Sequence, residues 1–160
     1  MEKSQSARSL LALGAACCLP AAACAAARAE PAAAPEPPLA IATTDPSLQW
    51  GPCPPIFPGD CRIAVLHGDL ARPNADILLR VGAGYELPAH RHSSAERMIL
   101  LSGRLQVRYA GAPPTVLESG HYAFGPAGRA HVARCLGAEP CTLFIAFEGP
   151  VDALPAELPD

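Results

Sequence analysis

The chain has 160 residues, half of them apolar and 17% charged, with a formal net charge of −3, a length that suits one domain of ordinary size. Much of the apolar fraction is alanine ahead of residue 40, so that stretch and the remainder have to be read separately. Beyond residue 29 stand nine arginines, no lysine and fourteen acidic residues, a net charge of −5 without a basic block; nucleic acid and anionic membrane surfaces, which need clustered positive charge, lose their electrostatic basis as partners.

Residues 1–29, "MEKSQSARSLLALGAACCLPAAACAAARA", open with Lys3 and Arg8, run apolar from Leu10 to Ala27 and end in Ala27-Arg28-Ala29. That is the layout of a secretory signal peptide, whose removal after Ala29 leaves no membrane span and places the protein in the periplasm or outside the cell. A transmembrane anchor competes, because the run is near the minimum of about 18 residues, although alanine is weakly apolar and Pro20 interrupts it. "AAAC" ending at Cys24 resembles a lipoprotein processing signal, which would tether the chain at Cys24.

Cys17, Cys18 and Cys24 would leave with the leader, and Cys53, Cys61, Cys135 and Cys141 would remain. An even number in an exported chain points to disulfides, and four cysteines allow three pairings. Proximity favours Cys53 with Cys61 and Cys135 with Cys141, across the short loops "CPPIFPGDC" and "CLGAEPC". Four buried thiols are the alternative.

Residues 30–49 begin "EPAAAPEPPLA", a proline and alanine composition suited to an extended linker. The domain is expected over 50–152, opening at Trp50 in the loop-like "QWGPCPPIFPGDC", with 153–160 as a tail. From Arg62 the chain runs through short apolar segments, "RIAVLH", "DILLRV", "ERMILL", "RLQVRY", "TVLE", "HYAF", "HVARC" and "TLFIAF", divided by Gly, Pro, Asn and Asp. These read as strands. In "RLQVRY", Leu105, Val107 and Tyr109 face one way and Arg104, Gln106 and Arg108 the other, so one face is buried. No window from 60 to 148 sustains a capped helical period, and about eight strands suggest an all-β sandwich or barrel.

Residues 84–103, "GYELPAHRHSSAERMILLSG", carry the chemistry. Residues i and i+2 of a strand project from one face, so His90 and His92 present adjacent imidazoles while Arg91 faces away. Glu96 follows a short polar connection, from which the next strand can turn its carboxylate to the same interior. In "GHYAFGPAGRAHVARC", Gly120, Pro126 and Gly128 force turns that bring His131 to the start of another strand. Three imidazoles and a carboxylate suit a divalent first-row metal and leave positions open on an ion that prefers six ligands.

The pattern Gly84-x5-His90-x-His92-x3-Glu96-x6-Gly103, then sixteen residues, then Gly120-x5-Pro126-x-Gly128-x2-His131 closely resembles the two signature motifs of the cupin superfamily. The resemblance covers residues 60–148 and implies a small antiparallel jelly-roll barrel enclosing one metal (Fe, Mn, Zn, Ni or Cu) held by His90, His92, Glu96 and His131. The family motif ends in asparagine where Cys135 stands; that asparagine is not a ligand. Two functions stay open: a metal-dependent enzyme, like the dioxygenases and isomerases among cupins, or a non-catalytic module that captures a metal or small ligand. In the first, Glu96 can double as a proton acceptor. A small molecule is the expected partner, and a homodimer is compatible with the fold. His67 and His121 read as surface or supporting groups; Met98, Tyr109, Phe124 and Phe144 as core; Arg80 and Arg108 as solvent-facing; Glu86 and Glu118 show no partner.

Overall fold

A computed structural model of the protein describes residues 36–159, so the leader and its cysteines lie outside the described residues. The compact unit begins at Ala40. Its eleven strands are β1 (Trp50–Pro52), β2 (Cys61–His67), β3 (Asp76–Val81), β4 (Glu86–Arg91), β5 (Glu96–Ser102), β6 (Arg104–Tyr109), β7 (Thr115–Glu118), β8 (Tyr122–Gly125), β9 (His131–Leu136), β10 (Cys141–Phe147) and β11 (Leu154–Pro155). No helix occurs among the described residues. Every pairing is antiparallel. One sheet has the order β1-β2-β3-β10-β5-β8, the other β11-β4-β9-β6-β7. The fold is a jelly roll, as the motifs implied.

All eight segments read as strands are strands. Three more exist. β1 and β11 have three and two residues, too few to show an alternation. β4, "ELPAHR", contains a proline and lacks β-branched residues, so propensity does not mark it; only the His90-x-His92 spacing indicated a strand here, and that strand ends one residue before His92. Its ladder with β9 shifts register between Leu87 and His90, around Pro88, which has no N–H to donate. β11 falls in the segment read as a tail and pairs with His90 and Arg91 of β4.

The alternation read in β6 holds, with Leu105 and Val107 buried and Arg104 exposed. β5 repeats it: Glu96, Met98 and Leu100 are buried, while Arg97, Ile99 and Leu101 face out. The core between the sheets includes Val81, Leu100, Leu143, Cys135 and Cys141, all nearly inaccessible. Removing such a side chain from water stabilises by about 1.5–3 kcal/mol. Cys53 is bonded to Cys61 and Cys135 to Cys141; the second bridge joins β9 to β10 and so ties the two sheets together.

Some expectations need correction. Phe124 is 50% exposed rather than core, because β8 is an edge strand whose Tyr122 and Phe124 alternate outward. Glu86 and Glu118 do have partners, Arg134 at 3.3 Å and Arg104 at 3.0 Å. Each pair is directly opposite in register across neighbouring strands, a proximity that sequence separation hides. Arg80 faces out as expected, and its guanidinium lies 4.4 Å from the Trp50 ring centroid.

Candidate metal centre

The four residues singled out by spacing meet between the sheets. His90 lies near the end of β4 and His92 just past it, both turned inward, while Arg91 is exposed. His131 opens β9 directly across from His90. Glu96 opens β5 in the opposite sheet, flanked in register by Gly125 of β8 and Phe147 of β10. The histidines offer ring nitrogens that all lie within 4.8 Å of one another. Glu96 reaches across to them, Oε2 standing 3.5 Å from His92 Nε2 and Oε1 3.5 Å from His131 Nε2. None of the four is more than 9% exposed.

Each imidazole is held from behind by a backbone carbonyl. His90 Nδ1 donates to Pro88 O at 2.7 Å, where the β4 ladder is interrupted, and His131 Nδ1 donates to Arg129 O at 3.1 Å. His92 Nδ1 donates to Asp152 O, beyond the last long strand. A carbonyl can only accept, so these contacts place the proton on Nδ1 and leave the Nε2 lone pair free. Burial keeps the rings neutral: it lowers His90 to about 3 and His131 to about 4, and lowers His92 as well.

The Nε2 lone pairs of His92 and His131 therefore face the carboxylate oxygens, and the one proton that Glu96 can carry cannot satisfy both. Burial pushes Glu96 up to about 8, against a smaller lowering effect of the neighbouring Tyr109 hydroxyl. Converging unpaired donors of this kind fit a divalent cation, which takes lone pairs from all of them. The locked Nδ1 atoms add the outer support that metal-bound histidines ordinarily have. Tyr109 Oη is buried beside the carboxylate, and burial, with the carboxylate as the smaller cause, raises the phenol well above its ordinary value. It lies near Glu96: a Cβ on Gly125 would come within 2.5 Å of Glu96 Oε1 and 2.9 Å of Tyr109 Oη.

Two supporting residues escaped the sequence reading. Phe57, buried in the Cys53–Cys61 loop, sets its ring edge-on to His90 at 4.7 Å. Asp152 holds His92 through its carbonyl and the next residue through its carboxylate, which accepts from Ser93 N at 2.8 Å. A lone aromatic in a disulfide loop was the one available hint of Phe57. Asp152 acts on His92 through a carbonyl, which every residue possesses. The second motif is tied to the first by Gly128 N, which donates to His92 O at 2.8 Å; Gly128 turns with φ +74, a conformation open to glycine at little cost. His67 and His121 are exposed and away from the cluster. A cavity of about 60 Å³ adjoins the four residues, walled by apolar side chains from both sheets and by Val151, Asp152 and Ala153.

Residues 40–152 match the family described as the ChrR cupin-like domain. No curated protein matches. Among solved structures, the DMSP lyase DddQ from Ruegeria pomeroyi DSS-3 is similar at 21% identity and TM-score 0.59, covering 71% of this chain and 63% of that one. An RmlC-like cupin from Shewanella frigidimarina NCIMB 400 is similar at 19% identity and TM-score 0.54, covering 66% and 86%. The oxalate decarboxylase of Bacillus subtilis, whose Mn(II) centres have been characterised by EPR, is similar at 15% identity and TM-score 0.52, covering 60% and 28%. At these identities the likeness is one of fold, and the chain spans less than two thirds of the length of the DMSP lyase.

Proposed function

The chain belongs to the ChrR cupin-like family, and from that premise we propose that it is a metal-dependent enzyme acting on a small molecule, with one divalent first-row metal held by His90, His92, His131 and Glu96. One observation carries this reading: three imidazoles locked through Nδ1 leave ring nitrogens free within 4.8 Å of one another, with the buried Glu96 carboxylate 3.5 Å from those of His92 and His131. A bound ion supplies a Lewis acid that polarises a coordinated oxygen. The Mn(II) centres of the Bacillus subtilis decarboxylase support a first-row metal, with Fe, Mn, Zn, Ni and Cu as the candidates.

The protein's own residues provide the rest. The apolar walls exclude bulk water and strengthen every electrostatic contact made inside. Glu96, which holds its proton tightly when buried without a cation, can accept a substrate proton on a carboxylate oxygen within hydrogen-bond reach. Export is part of the same proposal, and the two disulfides support an oxidising compartment. Intact mass of the exported protein should begin at Glu30; a retained leader removes the export reading, and a diacylated Cys24 replaces it with a lipoprotein.

Element analysis of the purified protein tests the site. The wild type should carry one equivalent of metal, and His131→Ala should lose about 100-fold in affinity while keeping its circular dichroism, since ligands and their supports commonly carry effects of this order. Full, tight occupancy in His131→Ala would overturn the four-residue site. Oxygen uptake with small diketones, phenols and thiols tests turnover; stoichiometric metal without turnover of any substrate would leave a binding module instead.

A further inference from the structure

The walls of the cavity restrict what can enter it. Besides His90, His92, His131 and Glu96, its lining contains one polar residue, Asp152; among the described residues no arginine or lysine lines it. The remainder are Pro, Phe, Ile, Leu, Met, Val and Ala, contributed by both sheets. A volume of about 60 Å³ has room for about four to six non-hydrogen atoms, given the ~10–15 Å³ that one water needs.

Charge narrows the choice further. A divalent ion together with the Glu96 carboxylate leaves one positive charge in an apolar surrounding, where an unbalanced charge is costly. One negative head balances it. A second negative charge on the same ligand would find no cation in the walls and would meet Asp152, half-exposed and already accepting from Ser93 N. Sugars and phosphate esters fare no better, because their hydroxyls and oxygens need partners that Ile77, Leu87, Met98 and Val107 cannot give.

We infer that this cavity selects a small monoanion with an apolar body, a single carboxylate, thiolate or enolate head directed to His90, His92, His131 and Glu96 and a short hydrocarbon tail against the aliphatic walls. The inference rests on the metal reading above. It sets this protein apart from a cupin that takes oxalate, whose second charge has no partner here.

The test uses the full protein loaded with one equivalent of Co(II) and titrated with four probes of about four to six non-hydrogen atoms each: butanoate, propane-1-thiol, oxalate and butan-1-ol. Visible bands of the cobalt report a head group arriving at the site, and calorimetry gives the affinity. Butanoate or the thiol should shift the bands and bind at least tenfold more tightly than oxalate or the alcohol. Oxalate binding as tightly as both monoanions, or no probe binding to a stoichiometrically loaded protein, overturns the inference while the metal reading stands. Failure to take up any of Co(II), Fe, Mn, Zn, Ni and Cu overturns the metal reading itself.

Discussion

Gly125 falls at an unspecified position of the second motif, yet it governs where the Glu96 carboxylate sits. A Cβ there would come within 2.5 Å of Oε1 and 2.7 Å of Cγ of Glu96. Glu96 is only 3% exposed, so the carboxylate cannot swing into solvent to make room. Gly125→Ala should therefore displace Glu96, weaken metal binding by about 10- to 100-fold as losses of supporting contacts do, and cost about 1–3 kcal/mol from overpacking. Chelator competition checks the first effect and denaturant unfolding the second. Unchanged metal affinity in folded Gly125→Ala would show that Glu96 is not seated as described. The histidines themselves were legible because two-residue spacing on a strand is a local rule; Gly125 was not, since its role depends on a partner strand.

The two bridges make different demands on their elements. Cys53–Cys61 closes the loop that presses Phe57 against His90, whereas Cys135–Cys141 joins β9 and β10 by way of residues that do not line the cavity. Opening either one by paired serine substitution should cost about 2–3 kcal/mol in the chain-entropy account. Only the first should also loosen His90. The paired Cys53→Ser and Cys61→Ser variant is expected to lose metal affinity by about tenfold, the low end of the ~10–100-fold range of supporting residues, while the Cys135 and Cys141 variant stays within about twofold. Equal losses in both would mean that the Phe57 contact contributes nothing specific. Pairing by proximity along the chain was legible because short loops close easily; the target of Phe57 was not.

Across the whole molecule, the buried site ties stability to pH. In chelator-treated protein, His90 at about 3 and His131 at about 4 lie below the ordinary 6.5, and His92 is also lowered. The unfolded chain then binds more protons than the folded one below pH ~6.5, and stability falls as pH falls. Glu96 at about 8 lies above its ordinary 4.5. The folded chain binds more protons between those values, so stability falls as pH rises toward 8. Between 4.5 and 6.5 the three histidines outweigh the single carboxyl. Thermal unfolding in chelator should thus show greatest stability near pH 6.5. Glu96→Gln should remove the decline between 6.5 and 8, and a wild-type midpoint that rises over that interval would contradict the burial argument.

The sequence alone determined an all-β chain, eight of its strands and the pairing of four cysteines, because alternation, turn residues and short loops are local properties of the chain; the jelly roll was implied by the resemblance of its motifs to those of cupins. Tertiary structure decided the rest. β4 has poor strand propensity beyond the His90 spacing and takes its bounds through pairing with β9 and β11. The partners of Glu86 and Glu118 come from register across strands. The Nδ1 acceptors of the histidines are backbone carbonyls, indistinguishable by residue type. The cavity takes its character from side chains scattered between Pro54 and Ala153, and their common apolarity acquires meaning only when the two sheets close over the same small volume.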